Sequence, residues 1–200
     1  MTIAADVLSV KHNWSGGEVG SGHIYQGHVN NNPDSALVAS IDDSDNLHGI
    51  TGGIGTTTSD NSSRVLYLTS GDAIWDLSGN VYEWTQQEIG MPTLTTMNIG
   101  VSDDSGFAWR EWTLGSLNLG NLPSRSRPSA LASVSGLSGV IGWNASQGIG
   151  RIYANHASTS ARALQRGGGW NSLLGAGVLT LNLSVAASYS NSYIGFRIAR

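Results

Sequence analysis

Cysteine is absent from the 200-residue chain, which excludes disulfide staples, cysteine-ligated zinc and thiol nucleophiles and leaves the redox compartment open. Lysine is nearly absent too. Lys11 stands alone, and the arginines are scattered singly. Nucleic-acid binding needs clustered cations to neutralise phosphates, so no nucleic-acid partner is expected. Only 12% of the residues are charged and 27 are glycine, which points to a loop-rich fold rather than long solvated helices. No stretch has the uninterrupted apolar length of a membrane span. The first residues lack a basic segment followed by an apolar run, so no signal peptide is expected. Acidic residues stop at Glu111: residues 1–111 carry a net charge of −11 and residues 112–200 a net of +7. Two oppositely charged halves attract, and a single domain over residues 1–200 is expected.

What is present is a core supply. Seven Trp, six Tyr and 40% hydrophobic residues argue against disorder. Residues Ala4 to Val10 suit one turn of helix or an edge strand. Pro33 after Asn30-Asn31-Asn32, with Ala36-Leu37-Val38-Ala39 following, reads as a helix start. Asp42-Asp43-Ser44-Asp45-Asn46 departs from the EF-hand pattern at Leu47 and reads as a solvated acidic loop. Gly52-Gly53-Ile54-Gly55 is a turn cluster, since no Lys-Ser/Thr follows it. Arg64-Val65-Leu66-Tyr67-Leu68 has strand composition and ends at Gly71-Asp72. Ser78-Gly79-Asn80 then makes a turn into a strand carrying Val81, Tyr82 and Trp84. Trp75, Trp84, Trp109, Trp112 and Trp143 lie beside apolar runs and are expected to pack in the core.

Between Arg166 and Arg197 lie thirty residues without a charge. Asn and Ser recur through them, so the run is too polar to span a membrane. Its Tyr, Ser, Asn and Gly mixture matches recognition loops: flat aromatic anchors with few torsions to freeze, beside short adaptable hydrogen-bonding groups. A plain Gly/Ser/Asn-rich loop has the same composition. Alternation in Leu179-Thr180-Leu181-Asn182-Leu183-Ser184 sends leucine to one face and Thr180, Asn182 and Ser184 to the other. Phe196 and Ile198 read as the inward side of a final strand.

Two motifs carry a family resemblance. Trp75-Asp76-Leu77-Ser78-Gly79-Asn80-Val81-Tyr82-Glu83-Trp84 resembles the Asp-x-x-Gly-Asn-Val-x-Glu-Trp signature of the formylglycine-generating-enzyme family. Arg166-Gly167-Gly168-Gly169-Trp170-Asn171, followed by Gly195-Phe196-Arg197, resembles that family's closing motifs in order and separation. The resemblance implies an α+β, C-type-lectin-like single domain with few helices, short strands and long ordered loops. The tail from Ala176 to Arg197 further resembles the variable proteins of diversity-generating retroelements, whose C-terminal cassette is rewritten at adenines. That likeness implies a variable ligand-binding cassette at 166–197. Gly169, Ser172, Leu173, Thr180, Ser184, Val185, Tyr189, Ser192 and Tyr193 are the expected contact residues. The implied partner is a protein or other macromolecule on a host or neighbouring cell, met at a cell or virion surface.

The enzymatic branch of the resemblance fails on residue types. Its copper chemistry needs a cysteine pair, and the chain has none. The related sulfoxide synthases use clustered histidines, whereas His12, His23, His28, His48 and His156 are dispersed without helical ligand spacing. Asp103-Asp104 sits among Ser and Gly, where nothing apolar tunes a general acid. A ligand-binding protein without catalytic residues and without a required cofactor is therefore expected. The alternatives are an enzyme with an unrecognised metal site and a surface spacer. The family likeness also implies structural calcium at Asn80, Val81 and Glu83; oxygen ligands suit that ion, and a turn asparagine beside a surface glutamate is the other reading. The retroelement likeness has its own test. The DNA beside the coding sequence is expected to hold a reverse-transcriptase gene and a near-copy of the cassette mismatched at adenines, and a neighbourhood lacking both would remove the narrower likeness.

Overall fold

The computed structural model of the protein describes residues 3–31, 34–37, 63–89, 107–111, 145–154 and 162–196. The readings on Pro33, the acidic loop at 42–46, the glycine cluster at 52–55, Asp103-Asp104, Trp112, Trp143, His48, His156, Arg197 and Ile198 lie outside those residues.

The N-terminal residues form the helix α1 (Ile3–Leu8), with Ala5, Val7 and Leu8 buried. Six residues cannot hold a helix alone, so packing and end-capping must supply its stability. Its last carbonyls are taken by side chains that follow: Asn13 Nδ2 donates to Val7 O at 2.8 Å and Trp14 Nε1 to Leu8 O at 2.9 Å. Asn13 also donates to Tyr67 O and accepts from Tyr67 N–H, both at 2.8 Å. One asparagine thus ties α1 to β1 (Val65–Tyr67). β1 pairs antiparallel with β2 (Ala73–Trp75) in a hairpin turned at Gly71, as the Gly71-Asp72 punctuation predicts.

Beside the hairpin, Arg64 forms a two-pronged ion pair with Asp76, Nε to Oδ1 at 2.8 Å and Nη2 to Oδ2 at 2.7 Å, with only 3% of the arginine side chain exposed. Its guanidinium also lies 5.7 Å over the Trp75 ring. The Ser78-Gly79-Asn80 turn follows, with φ of 92° at Gly79 and 66° at Asn80. A Cβ on Gly79 would sit 2.7 Å from the His28 carbonyl oxygen, so this close approach requires glycine.

The remaining strands are β3 (Tyr82–Ile89), β4 (Ala108–Arg110), β5 (Ile152–Ala154), β6 (Arg162–Gly167), β7 (Gly177–Asn182) and β8 (Ile194–Gly195). Among the described residues the architecture is mixed α+β and mostly strand: one small helix, the β1–β2 hairpin and a six-stranded sheet ordered β4-β5-β7-β6-β3-β8. β3 and β4 come from the acidic half and the other four strands from the basic half. An Arg151–Glu111 ion pair, 2.6 Å from Nε to Oε1, crosses between the halves. The apolar cluster joins Val7 and Leu8 of α1, Trp14, Ile24, Leu66, Ile149, Ile152, Leu164 and the β7 leucines.

Three expectations change. β7 is interior to the sheet and all six of its residues are buried, so the face holding Thr180 and Asn182 is not open. The register places Trp109, Tyr153, Asn182, Gln165 and Trp84 in one row across five strands, and Asn182 Nδ2 donates to Gln165 Oε1 at 2.9 Å. Phe196 is 75% exposed, because β8 ends at Gly195 before the aromatic can turn inward. Trp14 is fully buried, whereas Trp75, Trp84 and Trp109 are only partly so.

Asp76→Ala would take the carboxylate from a buried guanidinium and is expected to lower stability in a denaturant titration by about 3–5 kcal/mol. An apolar replacement of both partners should cost much less, because no unpaired charge remains inside.

Candidate functional site

The uncharged segment leaves β6 through Gly167 and Gly168 and forms a tight structure at 169–175. Gly169 is buried and its N–H donates to Ser172 Oγ at 2.9 Å. Ser172, 9% exposed, shares a 2.8 Å hydrogen bond with the Tyr82 hydroxyl. The single 3-10 turn Leu173–Gly175 comes next, held by Leu173 N–H on Val29 O at 2.9 Å. A Cβ on Gly175 would strike the Trp109 ring at 2.7 Å, so the turn lies tight against that indole. Thr180 is wholly buried beneath it and donates from Oγ1 to Gly175 O at 2.7 Å. Gly169, Ser172 and Thr180, expected as ligand contacts, therefore lie inside. Their polar groups are spent on the fold, because β7 is covered on both faces.

Leu173 is different. It is 58% exposed and Leu174 beside it 49%, and Leu173 holds φ at +49°, a left-handed conformation that costs a non-glycine residue about 1 kcal/mol.

Past β7, the chain is clamped at two places. Ser184 N–H donates to Asn182 Oδ1 at 2.9 Å, Arg162 Nη1 donates to Ser184 O at 2.7 Å, and Ala163 N–H donates to Val185 O at 3.0 Å. These bonds hold half-buried Ser184 and Val185 against β6. Eight residues on, Tyr82 N–H donates to Tyr193 O at 2.7 Å, and β8 runs parallel to β3. Residues 186–192 bridge the two anchors and are exposed throughout. The loop folds on itself: Tyr189 N–H reaches Ala186 O at 3.0 Å and Ile194 N–H reaches Asn191 O at 3.1 Å.

Its side chains form a connected polar group. The Tyr189 and Tyr193 hydroxyls are 3.0 Å apart, Asn191 Nδ2 donates to the Tyr189 oxygen at 2.9 Å, and Ser192 Oγ donates to Asn191 Oδ1 at 3.2 Å. The Tyr193 ring meets Tyr82 edge-on, with centroids 6.1 Å apart. Hydrogen bonds from Tyr193 and then Asn191 hold the Tyr189 phenol below its ordinary range. Burial, with the Tyr189 contact next, pushes Tyr193 up to about 12, and burial pushes Tyr82 up to about 12 as well.

Of the residues named for calcium, Asn80 has its side chain engaged. Asn80 Oδ1 accepts Leu37 N–H at 2.7 Å, while Nδ2 donates to Leu37 O and to Asp76 Oδ2, each at 3.0 Å. Glu83 lies opposite Arg166 in the β3–β6 register, a cross-strand pairing of opposite charge, and Val81 N–H bonds Gly79 O. Asn80 is a hub that pins Leu37 to the turn through both of its amide atoms. Among the described residues no group of three His, Asp or Glu side chains converges on a point. Ser15 Oγ lies 3.1 Å from His23 Nδ1, but it also accepts that histidine's backbone N–H, a turn-closing arrangement. No described helix is long and apolar enough to cross a membrane.

The sequence signals miss Tyr82 as a member of the site, although it touches both Ser172 and Tyr193. Its strand-like setting explains its burial, and nothing local indicates where its hydroxyl points. The chain matches no protein-family model, no curated protein and no solved structure.

In an absorbance titration Tyr189 is expected to ionise ahead of an ordinary tyrosine at 10, with Tyr82 and Tyr193 holding to about 12. Tyr193→Phe should move Tyr189 back up, since its strongest stabilising donor is gone. Unchanged early ionisation in that variant would show that the hydroxyl contact does not tune it.

Proposed function

We propose that the chain is a non-catalytic ligand-binding protein of receptor or adhesion type. In this reading the frame is C-type-lectin-like, and the cassette is of the kind that diversity-generating retroelements rewrite. The contact surface is the outward part of the uncharged segment: Leu173, Ser184, Val185, Tyr189, Ser192 and Tyr193. The partner is a protein or other macromolecule on a host or neighbouring cell, met at a cell or virion surface.

The observation that supports this best is the loop at 186–192. It is anchored at both ends to neighbouring strands, it is open to solvent, and it carries no charge where charge would cost nothing. A fixed loop loses little freedom on binding, and an uncharged one has no ion to desolvate. Tyrosine gives contact area with few torsions to freeze, and a well-buried aromatic anchor contributes about 2 kcal/mol or more. Binding by shape and hydrogen bonding needs neither a metal nor a nucleophile.

Frame and rim separate in a substitution series. Val185, Tyr189 and Ser192 should accept replacements within about 0.5 kcal/mol of stability. Ser172→Ala and Thr180→Val should cost about 1–3 kcal/mol, because each leaves a buried partner unsatisfied. Cell-adhesion or display selection should lose partner binding in the Tyr189→Ala, Tyr193→Ala double variant with the fold retained. Full adhesion by that folded variant would overturn the reading in favour of a spacer, and stoichiometric copper or iron in the pure protein would point to an enzyme.

A further inference from the structure

The rim comes from two stretches that are separate along the chain, the 3-10 turn at Leu173–Gly175 and the loop ending at Tyr193. Tyr82, on β3 and outside the uncharged segment, touches both. We propose that Tyr82 is the positioning residue that sets the two parts of the recognition rim relative to each other, its hydroxyl holding the first and its ring and backbone holding the second.

The geometry is specific at each contact. The Tyr82 hydroxyl meets Ser172 Oγ at 2.8 Å, and that same oxygen accepts Gly169 N–H at 2.9 Å, so the phenol orders the residues immediately before exposed Leu173. A Cβ on Gly169 would lie 3.3 Å from two carbons of the Tyr82 ring, which leaves the ring little room to move there. On the other side Tyr82 N–H donates to Tyr193 O at 2.7 Å, and the two rings meet at 68° with centroids 6.1 Å apart. Tyr193 then carries the contact to Tyr189 through the hydroxyl pair. Tyr82 itself is 5% exposed and sits in a strand with a neighbour on each side, β6 and β8. A buried phenol must place its hydroxyl on a partner, and edge-on ring packing has a preferred angle, so both contacts resist displacement. Substituting the exposed residues leaves this pivot in place, which lets side chains change without a change in how the two stretches face each other.

The functional meaning of the pivot rests on the proposed rim, but the pivot is measurable in the whole chain without any ligand. Failure of the one is therefore distinguishable from failure of the other. Tyr82→Phe keeps ring and backbone and removes the hydroxyl. Amide hydrogen exchange at Gly169 should then quicken about tenfold while ring NMR still shows Tyr193 titrating well above an ordinary tyrosine. Tyr82→Ala removes the hydroxyl and the ring and keeps the main-chain bond to Tyr193, so Gly169 exchange should quicken equally and the Tyr193 titration should fall back toward its ordinary value. Tyr193 is faced by the phenols of Tyr82 and Tyr189, and a Tyr189→Phe background separates the second contribution from the first. If the alanine variant does not fold, Tyr82→Phe and Ser172→Ala decide by the Gly169 exchange rate. Unchanged exchange at Gly169 in Tyr82→Phe, or an unmoved Tyr193 in a folded Tyr82→Ala, would overturn the proposal.

Discussion

One backbone hydrogen bond, from Tyr82 N–H to Tyr193 O, closes the segment that follows β7 back onto the sheet. The exposed loop at 186–192, the parallel pairing of β8 and the Tyr82–Tyr193 ring contact all follow from that closure. The opposite end of the loop is fixed by Ala163 N–H on Val185 O. Because β3 and β6 are neighbours, the two anchors belong to one rigid surface. A loop held this way is fixed at its ends by main-chain bonds, and its side chains bond chiefly to one another.

The same division explains why the uncharged run is so long. Residues 175–183 carry no charge because they are interior; an ion there would need a partner and a large desolvation term offset. Residues 186–192 carry none although they lie in water. One absence is forced by burial and the other is not, and only the second bears on the proposed recognition. Gly169, Ser172 and Thr180 fall on the forced side, whereas Leu173, Tyr189 and Ser192 fall on the other.

Local chemistry is what made parts of this legible. Ser78-Gly79-Asn80 demands positive φ and is followed by aromatic and β-branched residues, so turn and strand are readable from neighbours alone. The β1–β2 hairpin is readable for the same reason. Alternation in 179–183 sorts the leucines to the core face, but period two cannot say what covers the other face. Gly175, five positions from Thr180, covers it with distant Trp109 packed on that turn, and Tyr153 and Gln165 flank it in register. Composition marks residues 188–193 as an uncharged, tyrosine-bearing loop, and Tyr189 and Tyr193, four residues apart, pair through their hydroxyls. The role of Asn80 was undecidable locally, since its hydrogen-bonding partner Leu37 lies forty-three positions away. Tyr82 shows the same limit, with Ser172 ninety positions off.

The strand order has a consequence for how the protein is made. β3 leaves the ribosome well before its neighbours in the sheet, β6 and β8. Pairings of such long sequence separation close slowly, and they cannot start before the C-terminal strands exist. Until then β3 has two unpaired edges and no tyrosine loop beside it. The tyrosine loop thus takes its place only after the strands beneath it have been made, and a molecule that displays it has already paired β3 with β6 and β8.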